Sequence, residues 1–457
     1  MAGLDMPQGV ESPTLFVALA ALAAGLLYVL LAEVRKIPAR LFTLMATAFV
    51  DMVGLLMIIP LLPFYVKRLG EARSSLLGLH LGTGLLSGIV VSAFTVAQLL
   101  SAPLWGRFSD RYGRRPALLV AMSSAGVAYV IFAFANSIWL LLLSRIVQGA
   151  GGGTVGVIQA YVADSTEPHE RARSLGWLSA ATNLGVALGP VLGAMAVAIG
   201  SYDLLPGAGH LSLGGAAPGL VAALLCAANI FFAWRYLPES RTDAHHSGPA
   251  PRRPREAAWR IISHGREPAS RLIWIYAIAM GAFQGVFPVL SLYLNARFSV
   301  TERSIGYFFM YIGAISVFTR ILLLGKAVDW LGEARLSRAG TALLAAGLAT
   351  MPLAPNLPLL ALSVALLPLG TAFTFPCVTA LLSRVISASE RGLYMGLQQT
   401  FGGVARIVGP LWAGIAFDHL GMRVPFFTAA AVVLGTILLG LGLDRFAARQ
   451  PPAAVPD

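Results

Sequence analysis

Trp105 to Arg115 reads WGRFSDRYGRR, and Leu324 to Arg335 reads LGKAVDWLGEAR. Gly106, Asp110 and Gly113 of the first stretch return as Gly325, Asp329 and Gly332 of the second, each displaced by 219 positions. Further on, Glu170, Arg171, Gly176, Gly189 and Pro190 return as Glu390, Arg391, Gly396, Gly409 and Pro410, displaced by 220. Matching residues in one order at essentially one offset indicate an internal duplication. In a membrane chain, a duplication of this kind puts a transport path where the two copies meet.

The composition says that this is a membrane chain. Of 457 residues 57% are hydrophobic and only 12% charged, with mean hydropathy +0.75, whereas soluble domains carry about 25% charged residues. A water-soluble fold is excluded. Apolar runs fall near 14–32, 41–65, 80–105, 117–135, 138–162, 174–200, 217–236, 272–295, 304–325, 339–354, 358–383, 392–417 and 424–443, most close to the roughly 20 residues a spanning helix needs. Cys226 and Cys377 both lie inside apolar runs and cannot build a disulfide framework. The net charge of +12 does not form a basic, aromatic-interleaved surface for nucleic acid. Instead Lys and Arg concentrate in alternate connections, in roughly fourfold excess, which orients the chain by the positive-inside rule. On that rule the C-terminus and the Gly106–Arg115 turn are cytoplasmic, in an expected integral multi-pass plasma (inner) membrane protein.

The expected fold class is an all-α polytopic membrane protein of two pseudo-symmetric six-helix bundles plus an extra N-terminal helix. The expected divisions are 1–40 for an extension with that helix at 14–32, 41–236 for the first bundle, 237–270 for a cytoplasmic linker, 271–445 for the second bundle and 446–457 for a tail. A signal peptide explains 14–32 poorly, because Asp5 and Glu11 precede it without any Lys or Arg. An interfacial helix remains the alternative for 14–32. The linker holds His245, His246 and the run PRRPRE, which reads as a solvated segment or as a patch attracted to anionic lipid headgroups.

Several motifs resemble the major facilitator superfamily. WGRFSDRYGRRP fits its loop between the second and third helices, SRIVQGAGGG (Ser144–Gly153) its fourth helix, and GVALGPVLGA (Gly185–Ala194) the Gly-Pro signature of the fifth helix in antiporters. With VDMVGLLMIIPLLPFY (Val50–Tyr65) and YVADSTEPHERARSLGW (Tyr161–Trp177), the chain looks most like bacterial tetracycline efflux proteins and their drug:proton antiporter relatives over about residues 41 to 445. The likeness stops at the acid that group carries in its third helix, where this sequence reads SSAGVAYVIF with Ala128 at the matching position.

Gating falls to the turn around Gly106, Asp110, Arg111, Gly113 and Arg114, to its counterpart at Asp329, and to the Gly189–Pro190 bend. In the resembling family the first turn secures the cytoplasmic side. Glycines at 106 and 113 are expected to let backbones approach. Asp110 is expected to pair with a guanidinium or a helix end. Gly185, Gly189, Pro190 and Gly193 put a bare stripe on one helix face, suited to tight helix contact. The run Gly149 to Gly153 lacks a following Lys-Ser/Thr and reads as close packing rather than a phosphate loop.

Charges within spans cost a few kcal/mol each. Asp51 lies about ten residues, or ~15 Å, into its span and so near mid-bilayer. Desolvation opposes its charged form and a nearby cation favours it. In the resembling family the acid of the first helix and the arginine of the fourth take part in proton coupling, which implies Asp51 and Arg145 here. The alternative is a static ion pair between them that orders helix packing. Gln98, Gln148, Gln284, Gln398 and Arg406 are the candidates for the substrate cavity, while Arg320 is expected to be structural. Three deep arginines against one acid also suit an anionic or zwitterionic substrate. No metal-ligand spacing or nucleophile elbow is present, so neither an enzyme nor a cofactor or metal is expected, the proton gradient being the energy source. The sequence therefore reads as a proton-coupled exporter of amphipathic small molecules. Its partners are a small-molecule substrate, protons and membrane lipids, without nucleic acid, as a monomer. Uptake or symport of an organic solute is the second reading, and a transporter-like receptor the third.

Overall fold

The computed structural model describes residues 39–72, 75–76, 79–166, 170–200, 214–239, 254–387 and 390–444. The expected helix at 14–32, the tail at 446–457 and residues 240–253 of the linker lie outside them. In the first half the helices are α1 (Ala39–Ile58), α2 (Leu62–Ala72), α3 (Thr83–Tyr112), α4 (Arg114–Ala133), α5 (Ile138–Ala150), α6 (Thr154–Ser165), α7 (Arg171–Gly200) and α8 (Ala217–Tyr236). A short helix α9 (Pro254–Ser263) leads to the second half, α10 (Pro268–Phe298), α11 (Ile305–Phe318), α12 (Leu324–Thr350), α13 (Leu357–Val385), α14 (Arg391–His419) and α15 (Val424–Gly440). Two-residue strands β1 (Ser75–Leu76) and β2 (Leu79–His80) pair antiparallel between α2 and α3.

These helices make twelve crossings among the described residues. Nine stretches are long and apolar enough to span a membrane, with Ile138–Ala150 and Val424–Gly440 as shorter apolar helices. A 3-10 turn at Ile59–Leu61, started by Pro60, joins α1 and α2 into one pass. One stretch, Ile305–Leu353, makes two passes because Gly332 adopts φ 71 and turns the chain back. α5 and α6 are two pieces of one pass, separated at Gly151–Gly153. The result is the expected pair of six-helix bundles with one pass order in each.

Small residues decide how closely the helices meet. A Cβ at Gly189 of α7 would lie 2.9 Å from both the Val53 carbonyl oxygen and the Leu56 Cβ of α1, so the two helices touch through backbone. The second half repeats this seam, since a Cβ at Gly409 of α14 would overlap the Gly281 carbonyl of α10. The other faces of the same two helices join the halves, α7 to α11 and α14 to α3. There a Cβ at Gly306 would lie 2.8 Å from the Pro190 carbonyl, and one at Gly88 would overlap that of Pro410. The duplicated Gly-Pro pair therefore serves two seams in each half.

Polar contacts between the halves gather at the end of the bundle that carries Arg68. The Asp418 carboxylate at the end of α14 accepts the backbone N–H groups of Gly84 and Leu85 at 2.9 and 2.7 Å, capping α3 across the interface. Lys67 donates to the Asn295 side-chain oxygen at 3.2 Å, and the Ser291 hydroxyl to the Pro60 carbonyl at 3.1 Å. Arg68 pairs with Glu302 at 3.8 Å. Burial pushes the Glu302 carboxyl up from its ordinary range, with Arg68 opposing. At the other end the charged turns pair within their own half, as with Arg384 and Glu333 at 2.5 Å and Arg338 and Asp444 at 2.9 Å.

The seams set a stability test. Gly409→Ala, which forces a methyl group into the Gly281 carbonyl, is expected to destabilise the detergent-solubilised protein by about 1–3 kcal/mol through overpacking. Gly435→Ala on α15, where a Cβ meets nothing within 4 Å, is expected to leave the thermal midpoint unchanged or slightly raised.

Candidate functional site

A cavity of about 440 Å³ lies between the halves. Its first-half wall includes Met52 and Leu55 of α1, Phe94 and Gln98 of α3, Arg145 of α5 and Asn183 of α7. Its second-half wall includes Phe283, Gln284 and Phe287 of α10, Arg320, Phe375 of α13 and Arg406 of α14. Aromatic and aliphatic surface dominates, and the fixed charge that reaches it is cationic.

Arg145 is 1% exposed. Its guanidinium stands 5.5 Å over the Phe132 ring, and its Nε meets the Ser144 hydroxyl at 3.4 Å. Both terminal nitrogens lack an acceptor among the described residues, as do the Nε atoms of Arg320 and Arg406. Unbonded buried guanidinium nitrogens carry a full desolvation cost, and an anionic group in the cavity would relieve it.

The sequence expectations divide here. Gln98 and Gln284 line the cavity, Gln98 also donating to the Gly152 carbonyl at 3.1 Å. Gln148 and Gln398 do not line it. Gln148 is turned against α4, where it donates to the Tyr129 hydroxyl at 2.9 Å, and buried Gln398 accepts from the Thr379 hydroxyl at 3.3 Å. Both sit on cavity-bearing helices in a phase that points them into packing. Arg320, expected to be structural, lines the cavity beside Arg406. It belongs to a π turn, Thr319–Leu323, and the extra residue in such a turn changes helix phase, a feature frequent at functional sites.

Asp51, half-buried in α1 and outside the cavity lining, accepts the Thr154 hydroxyl at 2.8 Å. It forms no ion pair with Arg145, so a static pair between them is not what orders these helices. Tyr129 lies within electrostatic reach of both. Thr154 was not singled out from sequence. Its one local signal was the preceding glycine run, whose Gly149 packs against the Phe94 carbonyl of α3 and whose Gly151–Gly153 part interrupts the helix.

At the far end from Arg68, the turn at Gly113 is built as a charge cluster. Arg114 donates from Nε to Asp164 at 2.8 Å and from Nη1 to Asp110 at 2.7 Å and to the Ser109 hydroxyl at 2.9 Å. Glu239 caps α4, its two oxygens accepting the N–H groups of Arg114 and Arg115 at 2.8 and 3.1 Å. Gly113 has φ 102 and a Cβ there would meet the Glu239 carboxylate at 2.5 Å, so both conformation and space require glycine. Gly106 differs from expectation, since a Cβ there meets nothing within 4 Å. Arg111 stacks over Tyr112 at 5.3 Å. Asp329 in the second turn is exposed. Gly189 packs in the α7–α1 seam, while its neighbour Pro190 lines the cavity.

Comparison with known proteins agrees with this architecture. The family model for the Major Facilitator Superfamily matches residues 44–338 and 321–456. Among relatives, the Major facilitator superfamily domain-containing protein 10 of Bos taurus is 27% identical over 429 residues, covering 84% of this chain and 88% of its own length. The Tetracycline resistance protein, class D, of Salmonella ordonez is 28% identical over 409 residues, covering 89% and 95%. Among solved structures, the human organic anion transporter MFSD10 (TETRAN) superposes with a TM-score of 0.65 at 24% identity, covering 88% of this chain and 99% of that one. Twelve crossings in two duplicated bundles around a central cavity, matched along nearly the whole described length, make this chain a transporter of the major facilitator superfamily.

Proposed function

We propose that the chain is a proton-coupled exporter of amphipathic small molecules, working by alternating access, and that its preferred substrates carry an anionic group on an apolar body. The observation that carries this reading is the convergence of Arg145, Arg320 and Arg406 on one aromatic-walled cavity between the halves, with Asp51 on the adjoining helix bonded to Thr154. Guanidinium groups with unbonded nitrogens suit carboxylate, sulfonate or phosphate. The aromatic walls suit the apolar remainder. The name of the human structural neighbour, an organic anion transporter, and those of the tetracycline resistance relatives fit the same reading from two sides.

Asp51 is the proton carrier. Protonation removes a half-buried charge and weakens its bond with Thr154, so the protonated and charged forms favour different packings of α1. The Arg68 end, closed by Asp418 and the Arg68–Glu302 pair, faces outside, and the Gly113 turn faces the cytoplasm, as the excess of positive charge there supports. Substrate enters from the Gly113 side, and the gate turns close behind it as the Arg68 end opens.

Two measurements test this. In inverted vesicles driven by a proton gradient, Asp51→Asn is expected to abolish substrate-linked proton flux while counterflow of a bound organic anion persists. Wild-type flux from a correctly inserted variant would refute the assignment. Screening a panel of matched anionic, neutral and cationic amphipaths, Arg406→Gln is expected to raise the apparent KM for anions at least about tenfold. That follows from losing a charge-assisted hydrogen bond of about 1.5–3 kcal/mol, and the neutral compounds are expected to change less than threefold.

A further inference from the structure

The fourth pass is broken where its sequence runs Gly149 to Gly153, and neighbouring helices fill the break. Four carbonyls around it are taken by side chains. The Ser124 hydroxyl donates to Val147 at 2.9 Å, the Ser101 hydroxyl to Gly149 at 3.4 Å, the Trp105 Nε1 to Ala150 at 2.6 Å and Gln98 to Gly152 at 3.1 Å. Interrupted backbone at membrane depth persists only where such partners satisfy it. The break is thus a built feature, and it divides the pass into α6 and α5, which carries Arg145.

What α6 touches at its two ends gives the break a use. Thr154, its first residue, is 5% exposed and donates to Asp51. Asp164, near its last turn, accepts Arg114 of the gate turn at 2.8 Å. Between them the Tyr161 hydroxyl donates to the Pro238 carbonyl at 2.5 Å, next to the Glu239 that caps α4. A twelve-residue helix is about 18 Å long at 1.5 Å per residue. One short helix thus joins the Asp51 carboxylate to the charge cluster at the membrane edge.

We propose that Thr154 is the positioning residue through which the ionisation of Asp51 reaches the gate turn, with Thr154–Ser165 as a rigid connector. This rests on Asp51 being the proton carrier. A hydroxyl donating to a charged carboxylate forms a bond roughly twice as strong as one to a neutral acid. Protonation therefore loosens the start of α6, the glycine break lets it shift without α5, and the shift moves Asp164 against Arg114. The other titratable groups in electrostatic reach of Asp51 are Tyr129 on α4 and Cys226 on α8. Tyr129 shares its helix with Arg114 of the gate turn, but its hydroxyl is bonded to Gln148 rather than to Asp51, whereas Thr154 is bonded to Asp51 directly. Arg145 on α5 lies across the break.

The test is a double-mutant cycle read at the gate. Hydrogen–deuterium exchange of peptides covering 106–115 is measured on the full chain for wild type, Asp51→Asn, Thr154→Val and the double variant. Asp51→Asn is expected to change exchange of this turn at least threefold in the wild-type background. In the Thr154→Val background that response is expected to vanish, and Thr154→Ser, which keeps the hydroxyl, is expected to restore it. A merely structural Thr154 would shift exchange equally with either residue at position 51. A full Asp51→Asn response in the Thr154→Val background overturns the proposal, as does a gate turn indifferent to Asp51→Asn. Proton flux through Asp51→Asn, measured separately, decides whether the proton-carrier reading itself has failed.

Discussion

Backbone-to-backbone contact through glycine is the constraint on which the rest of this molecule depends. Lipid tails are as apolar as leucine, so helices in a membrane gain little by hiding apolar side chains from one another and must associate by close packing. The duplicated Gly-Pro pair supplies that contact twice in each half. Gly189 and Gly409 dock α7 and α14 onto the first helix of their own bundle, while the Pro190 and Pro410 carbonyls receive Gly306 and Gly88 from the other bundle. Seams this flat hold each bundle together and suit the tilting of one bundle on the other that the proposed alternating access requires. Side chains interlocked across the same surface would resist that motion.

The polar bonds make the two ends unequal. At the Arg68 end they cross between halves, with the Asp418 carboxylate capping a helix of the other bundle. At the Gly113 end they close within a half, and Asp110, with 68% of its side chain exposed, is turned to solvent. A carboxylate paired on one side and open on the other can take a second partner without first breaking a costly bond. Under the proposed alternating-access cycle, this asymmetry corresponds to the state closed on the Arg68 side.

Charge inside the bundle follows a related division. Arginines face the cavity, where their nitrogens can meet a ligand, and the acid lies outside the cavity lining, where it meets a hydroxyl. In the proposed mechanism, keeping them apart leaves Asp51 free to change ionisation without a bound guanidinium fixing it as the anion, and leaves the guanidinium groups free for substrate. A direct pair would have satisfied both groups and disabled both.

Much of this was determined by the sequence alone. Apolar run lengths decide that the chain crosses a membrane, and the 219–220 offset decides that it does so as two copies, because both depend only on local composition and order. Gly113 stood out in the sequence as a site of close backbone approach, but its positive φ and the Glu239 carboxylate beside it came from the structure. Only the tertiary structure decided which polar groups meet. Gln148 and Gln398 turned from the cavity, Arg320 turned towards it through a π turn, and Thr154 proved to be the partner of Asp51 across 103 positions. Helix phase, breaks and contacts between distant passes settle those pairings. None of the three is a local property of the chain, because each depends on which surface the neighbouring helix presents.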